Sequence, residues 1–477
     1  MNRPITRLYV IVAIMFVALV AFTSRWTVFD ASSLRDNTLN ARAVLEQQRI
    51  ARGPIVAADG TVLARSVPRS EGRYERIYPA GGLFAQAVGY YYTSLGSAGL
   101  EAFRNPELTG QNRSKLQSIL DQLQGKRQRG DKVVTTLDPA AQQVANTALA
   151  GHKGAIVALE PGTGAVTVMA SSPSFDPNAL RSTAGAAAIK GDPSGRLINR
   201  ATQFGYAPGS TFKVVTATAA IDSGAYTRES TVDGRSGILV SGVPLQNDEN
   251  ENLGQITLTE GLAKSVNTVW AQVAEHLGKR TMGIYMNRFG FNRKPQLDYP
   301  ATQMSANGEY EGERLIPPTS PLVDVGRMGI GQDKLNVTAL QMAEVAAAVA
   351  NRGRLMVPHM TARVVDSEGR TVTRIAPRVQ SVVMKPSTAA SVTTMMEAVV
   401  NEGTGTSAQI PGVQVAGKTG TAETQIGNRI NNVWFIAFAP AASPRVAIAV
   451  TLQAVPGQGA AFAAPVAREV MERLLRG

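Results

Sequence analysis

Hydrophobic residues are concentrated at the start of the chain, where they predict a helix that crosses a membrane. The uncharged run at residues 8–24 is 17 residues long, with Arg3 and Arg7 before it and Arg25 after it. That length is at the short end of what spans a bilayer, and flanking arginines can extend their side chains to the polar interfaces. We therefore predict a cytoplasmic tip and a single-pass anchor over residues 1–25, with the N-terminus in the cytoplasm.

A cleaved signal peptide is the alternative for this segment, because a charged start followed by an apolar core also describes one. The stretch ALVAFTS at residues 18–24 offers only an Ala-x-Thr pattern for cleavage, which is a poor signal. Both alternatives place the remainder of the chain outside the cytoplasm.

Residues 26–130 are predicted to form a stalk and a small, mostly β pedestal domain. Residues 26–50 lack proline and glycine and carry leucines and charges at mixed spacing, which suits an exposed helix or stalk. The stretch RGPIVAADGTVLARS at residues 52–66 predicts a hairpin, since two apolar pairs flank a turn at Asp59 and Gly60.

Residues 131–477 are predicted to form a second, larger α+β domain. Apolar strand pairs stand near both of its ends, KGAIVALEPGTGAVTVMAS at residues 153–171 and VWFIAFAPAASPRVAIAVTLQ at residues 433–453. A last helix follows, and helical patterns occupy residues 257–277 and 337–353 between the pairs. Hairpin-linked strands at both ends favour one antiparallel sheet flanked by helices over a doubly wound βαβ series.

Composition and charge narrow the possible functions. The chain has 477 residues, of which 44% are hydrophobic and 18% charged, as expected of two or three globular domains. It contains no cysteine, which excludes thiol nucleophiles, cysteine zinc sites and disulfides. Its three histidines, at 152, 276 and 359, lack metal-ligand spacing, so we expect no metal and no cofactor. The net charge of +12 is scattered, which argues against nucleic acid as a partner but suits an anionic membrane or wall surface.

Candidate chemistry begins with Ser210 and Lys213 in the stretch YAPGSTFK. Residues i and i+3 share one face of a helix, so the serine Oγ and the lysine Nζ are expected to lie close together. Pro208 and Gly209 precede the serine, which predicts that it sits at a helix N-terminus, where free N–H groups favour an alkoxide and an oxyanion. A lysine held neutral by burial or by a nearby cation can act as the base. The alternative is a helix-capping serine beside a solvated lysine.

A second candidate element is the stretch VAGKTGTAET, which contains Lys418, Thr419, Gly420 and Thr421. The following strands predict that it is an edge strand, where a glycine lets a substrate backbone approach closely. Lys418 offers a cation to a carboxylate and helps to keep Lys213 neutral, while the two threonines offer hydroxyls. A surface strand with an incidental lysine is the alternative.

The third element is a Ser-x-Asn pair, which occurs twice. Ser265 and Asn267 lie on or beside a helix, whereas Ser305 and Asn307 lie in a polar, loop-like stretch. We assign the first pair to the site, with Ser265 relaying a proton and Asn267 holding a substrate amide and orienting the lysine. The second pair is interpreted as a chance occurrence.

These three motifs, in this order, identify the chain as resembling the serine acyltransferases and hydrolases that react with penicillin. Along nearly its whole length after the anchor it resembles the class B penicillin-binding proteins, and its short first domain is similar to the small actinobacterial penicillin-binding protein A type. The resemblance rests further on RGPIVAADGTVLA, GLE at residues 99–101, SSPSFDPN, INRATQFGYAPGSTFK, GIGQ at residues 329–332, ALQMA and AGKTGTAE. Ala207 departs from the family, which often has a second proline there, and so do Ala57 and Ala58, where an acidic and a basic residue are common.

The resemblance implies a penicillin-recognising fold with a five-stranded antiparallel sheet and a peptidoglycan D,D-transpeptidase activity. It implies that Ser210 attacks the penultimate D-alanine of a stem peptide, that Lys213 accepts its proton, and that Ser265 passes a proton to the departing D-alanine. Backbone N–H groups of Ser210 and Thr421 are expected to form the oxyanion hole. The implied partners are stem peptides and their lipid-linked precursor, β-lactam antibiotics, and a membrane glycosyltransferase of the shape, elongation and division family.

Two other function classes stay open. A D,D-carboxypeptidase or β-lactamase would use the same acylation but release the product to water, and Glu397 with Asn401 has the Glu-x-x-x-Asn spacing of a water-activating pair. These two residues, however, fall at a predicted helix end just before the KTG strand. A non-catalytic β-lactam sensor or scaffold is the other class, although a sensor would be expected to carry several membrane segments.

Overall fold

A computed structural model describes residues 3–25, 48–111, 129–423 and 430–476 of the chain. Most of the predicted stalk, residues 26–47, lies outside this part. The strands are β1 Ile55–Val56, β2 Val62–Pro68, β3 Tyr74–Ile77, β4 Tyr91–Tyr92, β5 Gly96–Ser97, β6 Lys132–Thr135, β7 Lys153–Leu159, β8 Val166–Ser172, β9 Thr231–Asp233, β10 Ile238–Val240, β11 Val243–Leu245, β12 Gln255–Thr257, β13 Gly308–Glu311, β14 Arg314–Ile316, β15 Leu335–Asn336, β16 Arg354–Met356, β17 Thr361–Val365, β18 Thr371–Arg374, β19 Val379–Val382, β20 Ala416–Glu423, β21 Ile430–Ala439 and β22 Val446–Pro456.

The α-helices are α1 Arg3–Ser24, α2 Ala85–Val88, α3 Gly99–Phe103, α4 Asn105–Thr109, α5 Pro139–Ala148, α6 Thr183–Gly191, α7 Lys213–Asp222, α8 Leu258–Ala263, α9 Asn267–Arg288, α10 Val325–Gly329, α11 Ala339–Ala350, α12 Pro386–Asn401 and α13 Gly459–Arg476. Short 3₁₀ helices occupy Ser70–Gly72, Gly81–Phe84, Pro177–Arg181, Gly209–Phe212, Asp248–Asn250, Ala301–Gln303 and Thr406–Ala408.

The chain divides into two compact units. The first comprises Met1–Ala51 and Val67–Glu75, and the second comprises Arg52–Ser66 and Arg76–Gly477. Helix α1 of the first unit has 22 residues, and its most apolar 18-residue window has a mean hydropathy of 2.5. Within the described part of the chain no other helix is long and apolar enough to cross a membrane. By length and composition it fits a single-pass anchor.

The centre of the second unit is a five-stranded sheet in the order β20-β21-β22-β7-β8. Every neighbouring pair is antiparallel, which confirms the prediction that strands from both ends of the larger domain meet in one sheet. Strand β7 shows why helices cover both faces. Its residues Ile156 and Ala158 pack with α5 and α13, whereas Ala155 and Val157 pack on the opposite side in the core shared with α7, α11 and α12.

A second sheet, in the order β18-β17-β6-β1-β2-β3, is built around the predicted hairpin. Val56 of β1 pairs with Val62 of β2, which confirms that hairpin. Strand β1 also pairs in parallel with β6, and β6 pairs antiparallel with β17. Strands on both sides of residue 130 therefore share one sheet, and the domain boundary placed there stays a prediction.

The same region buries a charged cluster that the sequence did not single out. Glu101 accepts hydrogen bonds from Arg52 Nη2 at 2.8 Å and from Arg76 Nε at 2.5 Å, and all three side chains are buried. Burial alone would raise the pKa of Glu101, but the two guanidinium groups lower it on balance. The carboxylate is therefore charged and doubly paired.

Candidate active site

The candidate nucleophile, Ser210, lies in a tight turn that requires glycine at the preceding position, 209. The 3₁₀ helix Gly209–Phe212 leads directly into α7, so Ser210 and Lys213 are one turn apart. Gly209 has a φ of +51°, and a Cβ built there would lie 2.4 Å from the carbonyl oxygen of Thr421. The glycine therefore permits close contact between this turn and the KTG strand. The N–H of Ser210 stands in the first turn, where backbone donors have no intrahelical acceptor.

Lys213 is buried and held by the Ser-x-Asn segment. Its Nζ lies 2.7 Å from the carbonyl oxygen of Ser265, 2.7 Å from Asn267 Oδ1 and 3.3 Å from Ser265 Oγ. A neutral amine has two N–H bonds and one lone pair. The two carbonyl oxygens can accept hydrogen bonds from both N–H groups, which leaves the lone pair to accept a hydrogen bond from the Ser210 hydroxyl. Within the described chain Ser210 Oγ has no hydrogen-bond partner, which leaves it free to approach that lone pair.

The pKa of Lys213 lies well below the ordinary value for lysine. Burial is the larger cause, the nearby Lys418 cation is the second, and the carboxylate of Asp248 acts in the opposite direction. The Lys418 cation, which was expected to help keep Lys213 neutral, is therefore a smaller cause than burial, because the Lys213 side chain is fully removed from solvent.

Ser265 and Asn267 are placed by the junction of two helices. Helix α8 starts with a capping box between Thr257 and Glu260 and ends at Ala263, and α9 starts at Asn267. Ser265 lies between them with a φ of +61°, a conformation that costs a non-glycine residue about 1 kcal/mol or more. This turn directs both its carbonyl oxygen and its hydroxyl toward Lys213 Nζ.

Strand β20 carries the KTG motif and, as predicted, is the edge strand of the five-stranded sheet. Lys418 is buried, and its Nζ donates to Ser265 Oγ at 2.9 Å and to the Thr419 carbonyl at 3.0 Å. Burial lowers the pKa of Lys418 to about 7. A Cβ on Gly420 would lie 2.7 Å from the carbonyl oxygen of Pro208, so only glycine at this position allows strand β20 to pack closely against the turn that carries Ser210. Thr421 Oγ1 accepts a hydrogen bond from the Gly459 N–H at 3.3 Å.

The Ser305–Asn307 and Glu397–Asn401 pairs, which the sequence offered as alternatives, make no hydrogen bond to Ser210, Lys213 or Lys418 within the described chain. Ser305 Oγ donates to the Gln203 carbonyl, and Asn307 Oδ1 accepts from the Thr338 N–H. Glu397 lies near the end of α12, and its carboxylate has no hydrogen bond within the described chain. In the same described part, no group of three or more His, Asp or Glu side chains could hold a metal ion.

Three residues at the site were not assigned by sequence reasoning. Gly331, in the GIGQ stretch, accepts a hydrogen bond from the Gly209 N–H at 2.9 Å. Thr404 contacts Thr419, and Asp248 acts on Lys213 through its charge. The GIGQ stretch is marked in the sequence only by the family resemblance. The other two sit in polar loop sequence with no pattern that marks them.

Comparisons with known proteins agree with this geometry. The family model described as penicillin binding protein transpeptidase domain matches residues 154–472, and the one described as penicillin binding protein A dimerisation domain matches residues 52–133. The chain is 34% identical to the peptidoglycan D,D-transpeptidase PbpA of Mycolicibacterium smegmatis over 503 residues, covering 100% of this chain and 99% of that protein. It is also 34% identical to the protein of the same name from Mycobacterium tuberculosis, over all of both chains.

Solved structures show the same likeness. The ceftriaxone acyl-enzyme complex of penicillin-binding protein A from M. tuberculosis superposes with a TM-score of 0.81 at 32% identity, covering 91% of this chain and 100% of that one. The penicillin G acyl-enzyme complex of the same protein gives 0.80 at 32% identity, over 89% and 99% of the two chains. PBP2 of Pseudomonas aeruginosa gives 0.74 at 28% identity, over 90% and 96%.

Proposed function

The chain belongs to the class B penicillin-binding proteins, and on that premise we propose that it is a peptidoglycan D,D-transpeptidase acting through an acyl-enzyme on Ser210. The observation that carries the assignment of residues is the hydrogen-bonded series Lys213–Ser265–Lys418 beside the nucleophile turn. In this series Lys213 is a base of lowered pKa, Ser265 has a hydroxyl that can relay a proton, and Lys418 is a second amine hydrogen-bonded to that hydroxyl.

In the acylation step, Ser210 Oγ forms a bond to the carbonyl carbon of the penultimate D-alanine and gives its proton to Lys213 Nζ. The backbone N–H groups of Ser210 and Thr421 stabilise the oxyanion, and one such donor is typically worth about 3 to 4 kcal/mol. The C–N bond then breaks. The departing amine of the terminal D-alanine takes a proton through Ser265, and the ester on Ser210 remains.

In the second step, the amine of another stem peptide attacks the ester carbonyl. The amine loses a proton to the base, the new amide bond forms, and the C–O bond to Ser210 breaks with return of a proton to Oγ. The products are the cross-linked peptide and the free enzyme. Asn267 orients Lys213 through the bond to Oδ1 and presents its amide to the substrate.

The terminal carboxylate of the donor peptide binds to Lys418, Thr419 and Thr421, with Gly420 allowing the close approach. The carboxylate supplies a negative charge that favours the ammonium form of Lys418, whose pKa is about 7 in the free enzyme. A β-lactam carries a comparable carboxylate next to its reactive amide, so it acylates Ser210 and blocks the site. The acyl-enzyme complexes of the M. tuberculosis relative support this.

The cellular setting follows from the anchor and the family. Helix α1 spans the membrane once, with the N-terminus in the cytoplasm, and the domains at residues 26–130 and 131–477 stand outside. Arg3 and Arg7 precede the apolar run, whereas Arg25 alone directly follows it, and this excess of positive charge on the N-terminal side supports the orientation. The lipid-linked precursor and a membrane glycosyltransferase of the shape, elongation and division family are the expected partners, as for class B enzymes in general.

Fluorescent penicillin tests the nucleophile directly. The full chain in detergent is expected to form a covalent adduct that survives denaturing gel electrophoresis, and Ser210→Ala is expected to form none. Ser305→Ala, in the other Ser-x-Asn pair, serves as the matched serine control and is expected to label normally. Labelling of Ser210→Ala would overturn the assignment, and an adduct that lasts only seconds would indicate a β-lactamase-type hydrolase.

A further inference from the structure

Thr404 connects two of the catalytic segments through its side chain and its backbone. Its Oγ1 lies 2.6 Å from Oγ1 of Thr419 on the KTG strand. Its N–H donates at 3.1 Å to the carbonyl of Ala263, the last residue of α8 and two residues before Ser265. Thr404 therefore belongs to a loop that is fixed between the Ser-x-Asn junction and strand β20.

The residue before Thr404 shows how closely this loop packs. A Cβ built on Gly403 would lie 2.3 Å from the Ala263 carbonyl oxygen, so no side chain fits there. On the other side of Thr404, the N–H of Gly405 donates to the Val399 carbonyl at 2.8 Å, which ties the loop to α12. Backbone contacts thus hold the loop without help from the Thr404 hydroxyl, which leaves that hydroxyl available for a separate role.

The hydroxyl of Thr419 has one proton and two lone pairs, and its partners decide where the proton points. Lys418 Nζ lies 3.4 Å from this oxygen, and because the charged ammonium group has no lone pair, it can act toward Thr419 only as a donor. If Thr404 also donates, both lone pairs are occupied and the Thr419 proton is free for a third group. If Thr419 donated to Thr404 instead, it would present no proton to an incoming carboxylate.

We propose that Thr404 is a positioning residue that donates its hydroxyl proton to Thr419 Oγ1 and so directs the Thr419 proton to the terminal carboxylate of the substrate. This inference rests on the proposed function, in which Thr419 binds that carboxylate. A negatively charged ligand favours this orientation, because each hydroxyl dipole in the series then points toward the anion.

The test compares two β-lactams that differ only in the carboxylate. The second-order acylation rate constant of the full chain is measured with benzylpenicillin and with its methyl ester. Thr404→Val is expected to lower the rate with benzylpenicillin roughly tenfold or more, as for a lost hydrogen bond to a charged group. The rate with the neutral methyl ester is expected to stay within about twofold of wild type, inside the spread of ordinary surface substitutions.

Three further variants serve as checks and controls. Thr404→Ser keeps the hydroxyl and is expected to restore the benzylpenicillin rate, while Thr404→Ala replaces the valine variant if that variant does not fold. Thr406→Val is the matched control, since Thr406 is exposed, lies two residues away and has no side-chain hydrogen bond within the described chain. It is expected to leave both rates unchanged.

Thr419→Val separates failure of this inference from failure of the proposed carboxylate site. If Thr419→Val does not discriminate between the two β-lactams, the carboxylate site itself is wrong. If it does discriminate but Thr404→Val slows both β-lactams equally or slows neither, the positioning role of Thr404 is wrong. Failure of Thr404→Ser to restore the rate would also overturn the inference.

Discussion

Lys418 Nζ donates a hydrogen bond to Ser265 Oγ at 2.9 Å, although the two residues are 153 positions apart in the chain. The same hydroxyl oxygen is 3.3 Å from Lys213 Nζ, so it lies between two buried amines whose pKa values are both lowered. Lys213 can then be neutral and accept a proton while Lys418 still carries its positive charge. The pH dependence of acylation is expected to follow from this division of roles.

The acylation rate is expected to depend on pH in a bell shape. Lys213 must be neutral to accept the Ser210 proton, so activity falls as the pH drops through its lowered pKa. Lys418 must be charged to bind a carboxylate, so kcat/KM, which reports the free enzyme, falls as the pH rises above about 7. Stopped-flow acylation by benzylpenicillin checks this. The methyl ester should lack the alkaline limb, and an alkaline limb of equal size with both would contradict the role of Lys418.

Asp248→Asn is expected to move the acid limb of this profile to lower pH. The carboxylate of Asp248 favours the charged form of Lys213, so its removal lowers the Lys213 pKa further and leaves more neutral base at a given acidic pH. Glu249→Gln makes the same charge change one residue away, at an exposed side chain, and is the control. An equal shift in both variants would show a general charge effect, and a shift to higher pH would contradict the sign.

Gly209→Ala is expected to abolish acylation and to destabilise the chain. A left-handed φ costs an alanine about 1 kcal/mol or more, and the new Cβ would also overlap the Thr421 carbonyl. Gly224→Ala is the matched control, because Gly224 also has a positive φ, +80°, but a Cβ added there would have nothing within 4 Å of it. Urea unfolding and penicillin labelling are measured for both. Equal loss in the two variants would mean that conformation alone, not close packing, requires glycine at 209.

Glu101→Gln is expected to lower the free energy of unfolding by about 3 to 5 kcal/mol, because it leaves Arg52 and Arg76 buried without their shared charge. Glu229→Gln breaks an exposed ion pair with Arg228 and should change stability little, which makes it the control. Urea unfolding checks both variants, and a loss no larger than that of the control would contradict the importance of the cluster.

The same cluster sets a pH dependence of stability. The folded-state pKa of Glu101 is lowered, so its contribution is present above the unfolded-state pKa and is lost as the pH falls through the folded value. Wild type should therefore lose stability on acidification more than Glu101→Gln does. Parallel acid titrations of the two proteins would contradict this assignment.

The sequence by itself determined the features that are encoded in local patterns of consecutive residues. The apolar run predicted α1, the Asp59–Gly60 turn predicted the β1–β2 hairpin, and the strand pairs at both ends predicted the antiparallel sheet, all of which the structure contains. The three motifs at Ser210, Ser265 and Lys418 were also visible, since short fixed spacings mark them. Their individual roles remain predictions.

The tertiary structure alone decided which distant residues complete these motifs. Thr404 lies in a loop and Asp248 in a short 3₁₀ helix, and no sequence pattern marks either of them. Arg52, Arg76 and Glu101, which form the separate buried cluster, are far apart in sequence, so no local period indicates their contacts. The cause of the lowered Lys213 pKa was likewise decided by packing, because burial depends on every segment that surrounds the side chain. A sequence pattern records what a residue can do chemically, whereas its solvent exposure and its partners arise only when the chain is folded.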